Sequence, residues 1–253
     1  PSVEEEVDRC IECGYCEHKC PSRDLTTTPR RRIVIRRILK NLEQQGDKKH
    51  YDLLLDQYQY DGLNTCAVDG LCATACPVDI DTADLIKRLR NENHSQFENR
   101  VALAIARKFG TAVSLARMAL KTGVVVNKVF GAKAMTRLTS ALKRVIPAFP
   151  RWSERLSAPP DLSVLRDRNN AVLSGDTKTV VYFPACITRM MGSYPGKDKN
   201  LMETFMSVCR KTGFDVIVPR DINSSCCGQM FSSKGFRPAH QFTANQIVAR
   251  LRS

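Results

Sequence analysis

The sequence is short of aromatic residues, at 7% with one tryptophan, and of histidine, with four. No apolar run approaches the roughly 18 residues of a membrane-spanning helix; the longest are interrupted by lysine or arginine. No pattern of charged, apolar and small-residue segments marks a signal peptide. No glycine-rich phosphate loop is present, so no nucleotide site is expected on this chain. No Ser/His/Asp or paired-carboxylate arrangement suggests hydrolysis. The shortage of aromatics matters most in residues 100–170, where 14 basic residues face 3 acidic ones, net +11. The aromatics there are Phe109, Phe130, Phe149 and Trp152. Proteins that grip single-stranded nucleic acid interleave aromatics with their cations, so no nucleic-acid partner is expected. The same charges read as a solvated helix face, or as a surface for an anionic membrane or an acidic partner domain.

What the chain does have is cysteine, eleven in 253 residues, with a 43% hydrophobic composition that can bury a core. Disulfide frameworks belong mainly to small secreted domains. Here seven cysteines fall in two tight runs, each closing on Cys-Pro, which points to reduced thiolates on metal in a reducing, cytoplasmic compartment. Residues 1–99 are mildly acidic, net −4, and residues 171–253 carry net +6. The chain opens at Pro1 and closes on a helical pattern at Ser253, which reads as a piece of something larger.

The first run, Cys10-Ile-Glu-Cys13-Gly-Tyr-Cys16-Glu-His-Lys-Cys20-Pro21, has the C-x2-C-x2-C-x3-C-P spacing of bacterial two-cluster ferredoxins. Two-residue spacers let three thiolates wrap one iron–sulfur cubane, and the fourth cysteine serves the other cluster. Gly14 permits the tight backbone approach. Structural zinc also accepts C-x2-C pairs but has no use for the third spacer or a paired second run. His18 falls outside the ligand positions and reads as solvated.

The second run, Cys66-Ala-Val-Asp69-Gly-Leu-Cys72-Ala-Thr-Ala-Cys76-Pro77, keeps that frame with aspartate in place of the second cysteine. Cross-sharing assigns Cys10, Cys13, Cys16 and Cys76 to a first, [4Fe–4S] cluster, and Cys20, Cys66, Cys72 and Asp69 to a second. Either Asp69 ligates the fourth iron of a [4Fe–4S] cube, or that iron is missing and a [3Fe–4S] cluster remains with Asp69-Gly70 as a turn. A third group, Cys186 with Cys226-Cys227-Gly228, follows two predicted strands, where open α/β sheets place ligands. Three thiols are one short of a closed four-thiolate site, so a partial site without metal is the preferred reading and a shared metal site the alternative. Cys209, on an apolar helix face with Phe205 and Val208, reads as core.

The periodicity predicts helices from Val3 to Arg9, from a Thr28 cap and Pro29 to Gly46, from Lys48 to Tyr60 with a break at Asp61-Gly62, and from an Asp81 or Thr82 cap to about Asn93. Residues 95–145 read as about three helices separated at Gly110, Gly123 and Gly131. Pro147 to Pro160 and the polar Asp167 to Asn170 read as a linker. Strands are expected at Thr179–Phe183 and Asp215–Val218, and helices at Asp198–Thr212 and Pro238–Leu251. Alternating strand and helix suggest an α/β domain with a parallel sheet.

These motifs resemble a known family. Cys10 to Pro21, the Thr28-Pro29-Arg30 helix and Cys66 to Pro77 are similar to the alpha-helical ferredoxin domain of succinate dehydrogenase, glycolate oxidase and heterodisulfide reductase iron–sulfur subunits. Cys186 with Cys226-Cys227-Gly228 resembles a first CCG cysteine-rich repeat. The phrases Cys10-Ile-Glu-Cys13, Cys20-Pro-Ser-Arg-Asp-Leu-Thr and Cys66-Ala-Val-Asp69-Gly-Leu-Cys72 are similar to the C-terminal half of FAD- and iron–sulfur-containing D-lactate dehydrogenases and related D-2-hydroxyacid oxidoreductases. The resemblance implies a mainly α ferredoxin domain over residues 1–98, a basic helical connector and Pro-rich linker over 99–175, and a smaller, CCG-type α/β domain with a parallel sheet over 176–253. It implies FAD on a domain upstream, a second CCG repeat downstream, and electrons passed from FAD through two clusters to a quinone or cytochrome acceptor. On that reading this chain alone does not oxidise a hydroxyacid. The alternatives are the iron–sulfur subunit of a heterodisulfide-reductase- or glycolate-oxidase-like complex and a cluster-stabilised binding module. A peripheral place at the inner face of the cytoplasmic membrane fits the basic segment.

Overall fold

A computed structural model describes residues 3–147, 149–166, 178–192, 199–219 and 221–252. The polar stretch Asp167 to Asn170 and the helix start expected at Asp198 lie outside these residues. The chain divides into two compact units, residues 1–103 with 228–241 and residues 104–227 with 242–253.

In the first unit, α1 (Val3–Arg9) is followed by a cysteine loop and then α2 (Pro29–Gln45). The Thr28 side chain accepts from the Arg31 amide at 3.4 Å, and Pro29 occupies the first turn, where its missing N–H is no loss. Gly46, in the left-handed region at φ 72°, closes the helix as expected. The helix α3 (Lys48–Tyr58) does not stop at Asp61-Gly62: the chain runs on as a π-helical turn, Gln59–Asn64. A Cβ on Gly62 would lie 2.3 Å from the Tyr58 ring, so the missing side chain lets the turn close over that ring instead of breaking. α4 (Thr82–Glu92) is capped by Asp81, whose carboxylate accepts from the Ala83 and Asp84 amides.

These helices share one core of Val7, Ile33, Leu39, Tyr58, Leu63, Ile80, Leu85, Ile86 and Leu89, against which Cys10, Cys66 and Cys76 pack. The returning segment 228–241 is fastened to α4. A Cβ on Gly235 would meet the Asn91 amide nitrogen at 2.7 Å, the Asn91 side chain donates to the Gly235 carbonyl at 2.9 Å, and His94 stacks on Phe236 with centroids 4.0 Å apart.

Beyond α4 come α5 (Gln96–Arg107), α6 (Phe109–Phe130) and α7 (Ala134–Val145). These are three helices, but the first break falls at Lys108 rather than Gly110, and Gly123 lies inside α6. Both glycines are close-approach points: a Cβ would meet the Ser224 side chain at 3.0 Å from Gly110 and the Trp152 ring at 2.4 Å from Gly123. α6 is also long and apolar enough to cross a membrane by length and composition, and 17% of its apolar window is buried. A search for uninterrupted apolar runs passes over it because Arg117, Lys121 and Lys128 punctuate it.

In the second unit a short α8 (Ser163–Arg166) precedes β1 (Lys178–Val181), α9 (Cys186–Met190), α10 (Leu201–Lys211) and β2 (Phe214–Ile217). β1 and β2 pair in parallel, Val180 opposite Val216, with α10 as the crossover. Asn200 and Glu203 form a reciprocal capping box at the start of α10. Met206, Cys209 and Val216 bury together, so Cys209 is core as expected. Of the two neighbours expected on that face, Val208 points outward, while the Phe205 ring lies at the edge of this core, stacked on Tyr182 with centroids 4.1 Å apart. α11 (Gln229–Lys234), part of the first unit, and α12 (Arg237–Arg252), which runs from the first unit into the second, close the chain. The architecture is mainly helical with a small two-stranded parallel sheet near the C-terminus among the described residues, as the sequence predicts.

Candidate metal centres

The first cysteine loop turns twice through the left-handed region, at Glu12 (φ 57°) and Gly14 (φ 80°), on either side of Cys13. Arg37 of α2 holds its base, donating to the carbonyls of Val7 at 2.8 Å and Cys10 at 2.6 Å and pairing with the Glu12 carboxylate. Arg30, one face along the same helix, pairs with Glu17 at 3.2 Å, and Glu17 also accepts from the Thr28 hydroxyl at 2.6 Å. The hydroxyl first, then the Arg30 charge, holds the Glu17 carboxyl below its ordinary range. Cys10, Cys13, Cys16 and Cys76 line one cavity, closed by Gly14 and Ile33. Cys76 arrives from the second run in extended backbone, the conformation a following proline favours, and its sulfur accepts from the Ile80 amide at 3.3 Å. Burial pushes the Cys16 thiol up to about 11, so a cationic metal is what would hold it as thiolate.

The second loop repeats that backbone. Val68 (φ 57°) and Gly70 (φ 73°) flank Asp69 as Glu12 and Gly14 flank Cys13. A β-branched residue in the left-handed region costs of order 1–3 kcal/mol, and Val68 holds it while 5% exposed. Asp69 therefore stands in the conformational place of Cys13. Its side chain is exposed, with one carboxylate oxygen accepting from the Leu71 amide at 3.2 Å.

Cys20, leaving the first run, is buried, and Arg32 donates to its sulfur at 3.6 Å and to the Gly62 carbonyl at 2.8 Å. Cys72 is buried too; desolvation raises its thiol against a hydrogen bond to Thr82. Cys66 lies within electrostatic reach of Cys72, and Cys72 of Cys16, so the two sets are neighbours. Arg90 of α4 donates to the carbonyls of Leu63 and Cys66, the latter at 2.9 Å, and reaches Ser233 on the returning segment. The loop is stitched to the residues after Cys20: Ser22 donates to the Thr65 carbonyl, Thr26 to the Thr65 hydroxyl at 2.7 Å, and Thr27 to the Asp61 carbonyl.

Three donors near Cys20 and Cys66 are buried without a partner: Arg32 Nη2, Arg90 Nε and the Tyr58 hydroxyl. Buried polar atoms are rarely left unsatisfied, and an anionic iron–sulfur cluster offers acceptors of the kind these donors lack. The residues fit the group. When bound, such a cluster supplies one-electron redox chemistry, tuned by its ligands and surroundings.

In the second unit Cys186 opens α9, Cys226 is buried and Cys227 is exposed. The Cys226 thiol beside it, and then the Arg189 charge, pull the Cys186 thiol down to about 6 against the effect of burial. Arg189 is 1% exposed and donates to the carbonyls of Pro184, Ile222 and Ser225, which ties both cysteine-bearing segments together. Among the described residues no three His, Cys, Asp or Glu side chains sit close enough to chelate a single ion. A cubane spreads its thiolates over separate iron corners and does not need such closeness. His18 is exposed, as expected.

Residues 6–80 match the protein family described as "4Fe-4S dicluster domain". The chain is 20% identical over 270 residues to the "Probable glycolate oxidase iron-sulfur subunit" of Bacillus subtilis, covering 97% of this chain and 54% of that protein. It is 28% identical over 111 residues to an iron–sulfur subunit of the CoB–CoM heterodisulfide reductase of Methanocaldococcus jannaschii, covering 42% of this chain and 53% of that protein. The chain thus spans about half the length of these curated relatives. No solved structure matches it. Binding of [4Fe–4S] clusters, and with it an oxidoreductase-linked electron-transfer role, is supported by these likenesses.

Proposed function

We propose that this chain is the iron–sulfur electron-transfer module of a flavin-dependent D-2-hydroxyacid dehydrogenase of the D-lactate type. On this reading Cys10, Cys13, Cys16 and Cys76 hold one [4Fe–4S] cluster, and Cys20, Cys66 and Cys72 hold a second, with Asp69 at its fourth corner. The observation that carries it is the shared cavity: Cys76 joins three cysteines of a run far away in sequence, as cross-shared ligation requires. FAD on another domain of the same protein supplies electrons, and a quinone or cytochrome receives them. Cys186, Cys226 and Cys227 are read as a partial site. The chain's own work is to hold and tune the clusters. Iron and acid-labile sulfide counts with EPR on anaerobically prepared protein test the reading. Two clusters per chain are expected; zinc, or iron without sulfide, overturns it.

The alternative of a separate subunit is favoured by the two relatives, both of which are named as iron–sulfur subunits. An FAD domain encoded in frame with this chain would end that alternative.

For location, we infer a cytoplasmic protein that touches an anionic membrane surface through α6 and α7. These helices, with Lys133 at the cap between them, expose Met118, Val125, Val129, Phe130, Leu138 and Val145 among Lys121, Lys128, Arg137, Lys143 and Arg144. Residues 99–153 contain no carboxylate side chain. Apolar area plus cationic charge is what holds an interfacial helix on anionic lipid. Binding to anionic vesicles that weakens with salt is the expected result, and no pelleting at low salt would refute it.

A further inference from the structure

We propose that Arg32 and Arg90 make the Cys20–Cys66–Cys72 cradle the higher-potential of the two, so that an electron entering the domain comes to rest there. The proposal rests on the reading that these cysteines hold a cluster.

Arg32 is 1% exposed and Arg90 8% exposed. Their acceptors are the carbonyls of Gly62, Leu63, Cys66 and Ser233 and the sulfur of Cys20. No carboxylate pairs with either guanidinium among the described residues. Each keeps one buried N–H group with no partner, and the Tyr58 hydroxyl, also orphaned, lies within electrostatic reach of Cys66. Two whole positive charges and three spare donors therefore gather at one cradle, against the single Asp81 carboxylate within electrostatic reach of Cys72.

The other cradle is different. Arg30 is neutralised by Glu17, and Arg37 by Glu12, and the remaining guanidinium, Arg9, is exposed where it donates to the Val78 carbonyl. Reduction adds one negative charge to a cluster. Net charge and hydrogen bonds to sulfur are the protein's levers on its potential, and buried charges act through a dielectric far below that of water. Uncompensated guanidiniums favour the reduced form at the second cradle, and matched ion pairs leave the first nearly unaffected. Clusters held in the two cradles would exchange one electron, the first giving it up and the second taking it, with no bond formed or broken.

The test is an EPR-monitored potentiometric titration of the anaerobically prepared chain, with dithionite as reductant, for wild type, R32Q, R32K and R90Q. The wild-type second cradle is expected to titrate above the first. At fixed potential the reduced-to-oxidised ratio of the second cradle falls about tenfold in R32Q and in R90Q, ~59 mV for a one-electron couple. R32K, which keeps the charge, recovers most of the shift, and the first cradle's midpoint stays put in every variant. A purely structural role would cost iron or stability without this ordering. A wild-type second cradle at or below the first overturns the proposal. So do unmoved midpoints in iron-replete R32Q and R90Q, or both cradles moving together. If R32Q holds no second cluster, R90Q and R32K decide, and an unmoved R90Q refutes the idea. A failure of the underlying ligand reading looks different: wild type would then lack a second cluster by iron and sulfide count.

Discussion

Around Cys10 to Cys16 the two guanidiniums that brace the loop each meet a carboxylate, Arg30 with Glu17 and Arg37 with Glu12, while Arg9 donates to the Val78 carbonyl beside it. Around Cys20 and Cys66 the guanidiniums of Arg32 and Arg90 meet carbonyls and sulfur. The backbones of the two loops run in parallel, with left-handed turns at Glu12 and Gly14 in one and Val68 and Gly70 in the other. One chain has thus built the same loop twice and furnished it differently. Two positions after the opening cysteine an acidic Glu12 becomes an apolar Val68, and at the next position Cys13 becomes Asp69. Geometry is the repeated element, and charge is where the two sites part.

The strongest way to break this comparison is to exchange the shared thiols. Cys76→Ser should remove the first cluster and spare the second, and Cys20→Ser should do the reverse, each read as loss of one cluster's iron and its EPR signal. Loss of the same cluster in both variants would end the cross-sharing assignment. Next in size is Asp69→Cys, which should complete two four-thiolate cradles with about eight iron atoms per chain. A three-iron signal in oxidised D69C would mean that the loops are not equivalent. Gly62→Ala should cost about 1–3 kcal/mol by driving a methyl into the Tyr58 ring. Iron retention would drop at the second cradle, because the π-turn leads only into that loop. The smallest effect is expected from Thr28→Ala, about 1 kcal/mol of stability in denaturant titrations from the lost cap. Both cradles should weaken together, since α2 supplies Arg30 to one and Arg32 to the other.

Much of this was legible from residue spacing. The cysteine runs, the Thr28-Pro29 helix start, the Asp81 cap and the strand–helix–strand end of the chain all rest on local chemistry. What escaped rests on distant partners. Gly110 and Gly123 look like helix breaks until Ser224 and Trp152 are seen to need the space. Asp61-Gly62 looks like a stop until the Tyr58 ring explains why the turn widens instead. Arg32 and Arg90 look like solvated cations. The one available signal was position: Arg90 falls four residues after Ile86, in the apolar register of α4, and Arg32 falls seven before Leu39 in α2. A charge at a core position asks for a buried counterpart, and the acceptors, Cys20 and the loop carbonyls, are far off in sequence.

Cys76 lining the cavity of Cys10, Cys13 and Cys16 has a consequence for biogenesis. As the ribosome delivers the chain, three thiols of the first run emerge long before the fourth, and Cys20 waits for Cys66 and Cys72. Neither cradle can be finished on a nascent chain shorter than the whole motif. Closing so long a loop carries an entropic cost that the helical core of Ile33, Tyr58 and Leu85 has to meet first. On the ligand sets proposed above, the scaffold condenses first, and iron and sulfide would be loaded afterwards into two sites that become ready together.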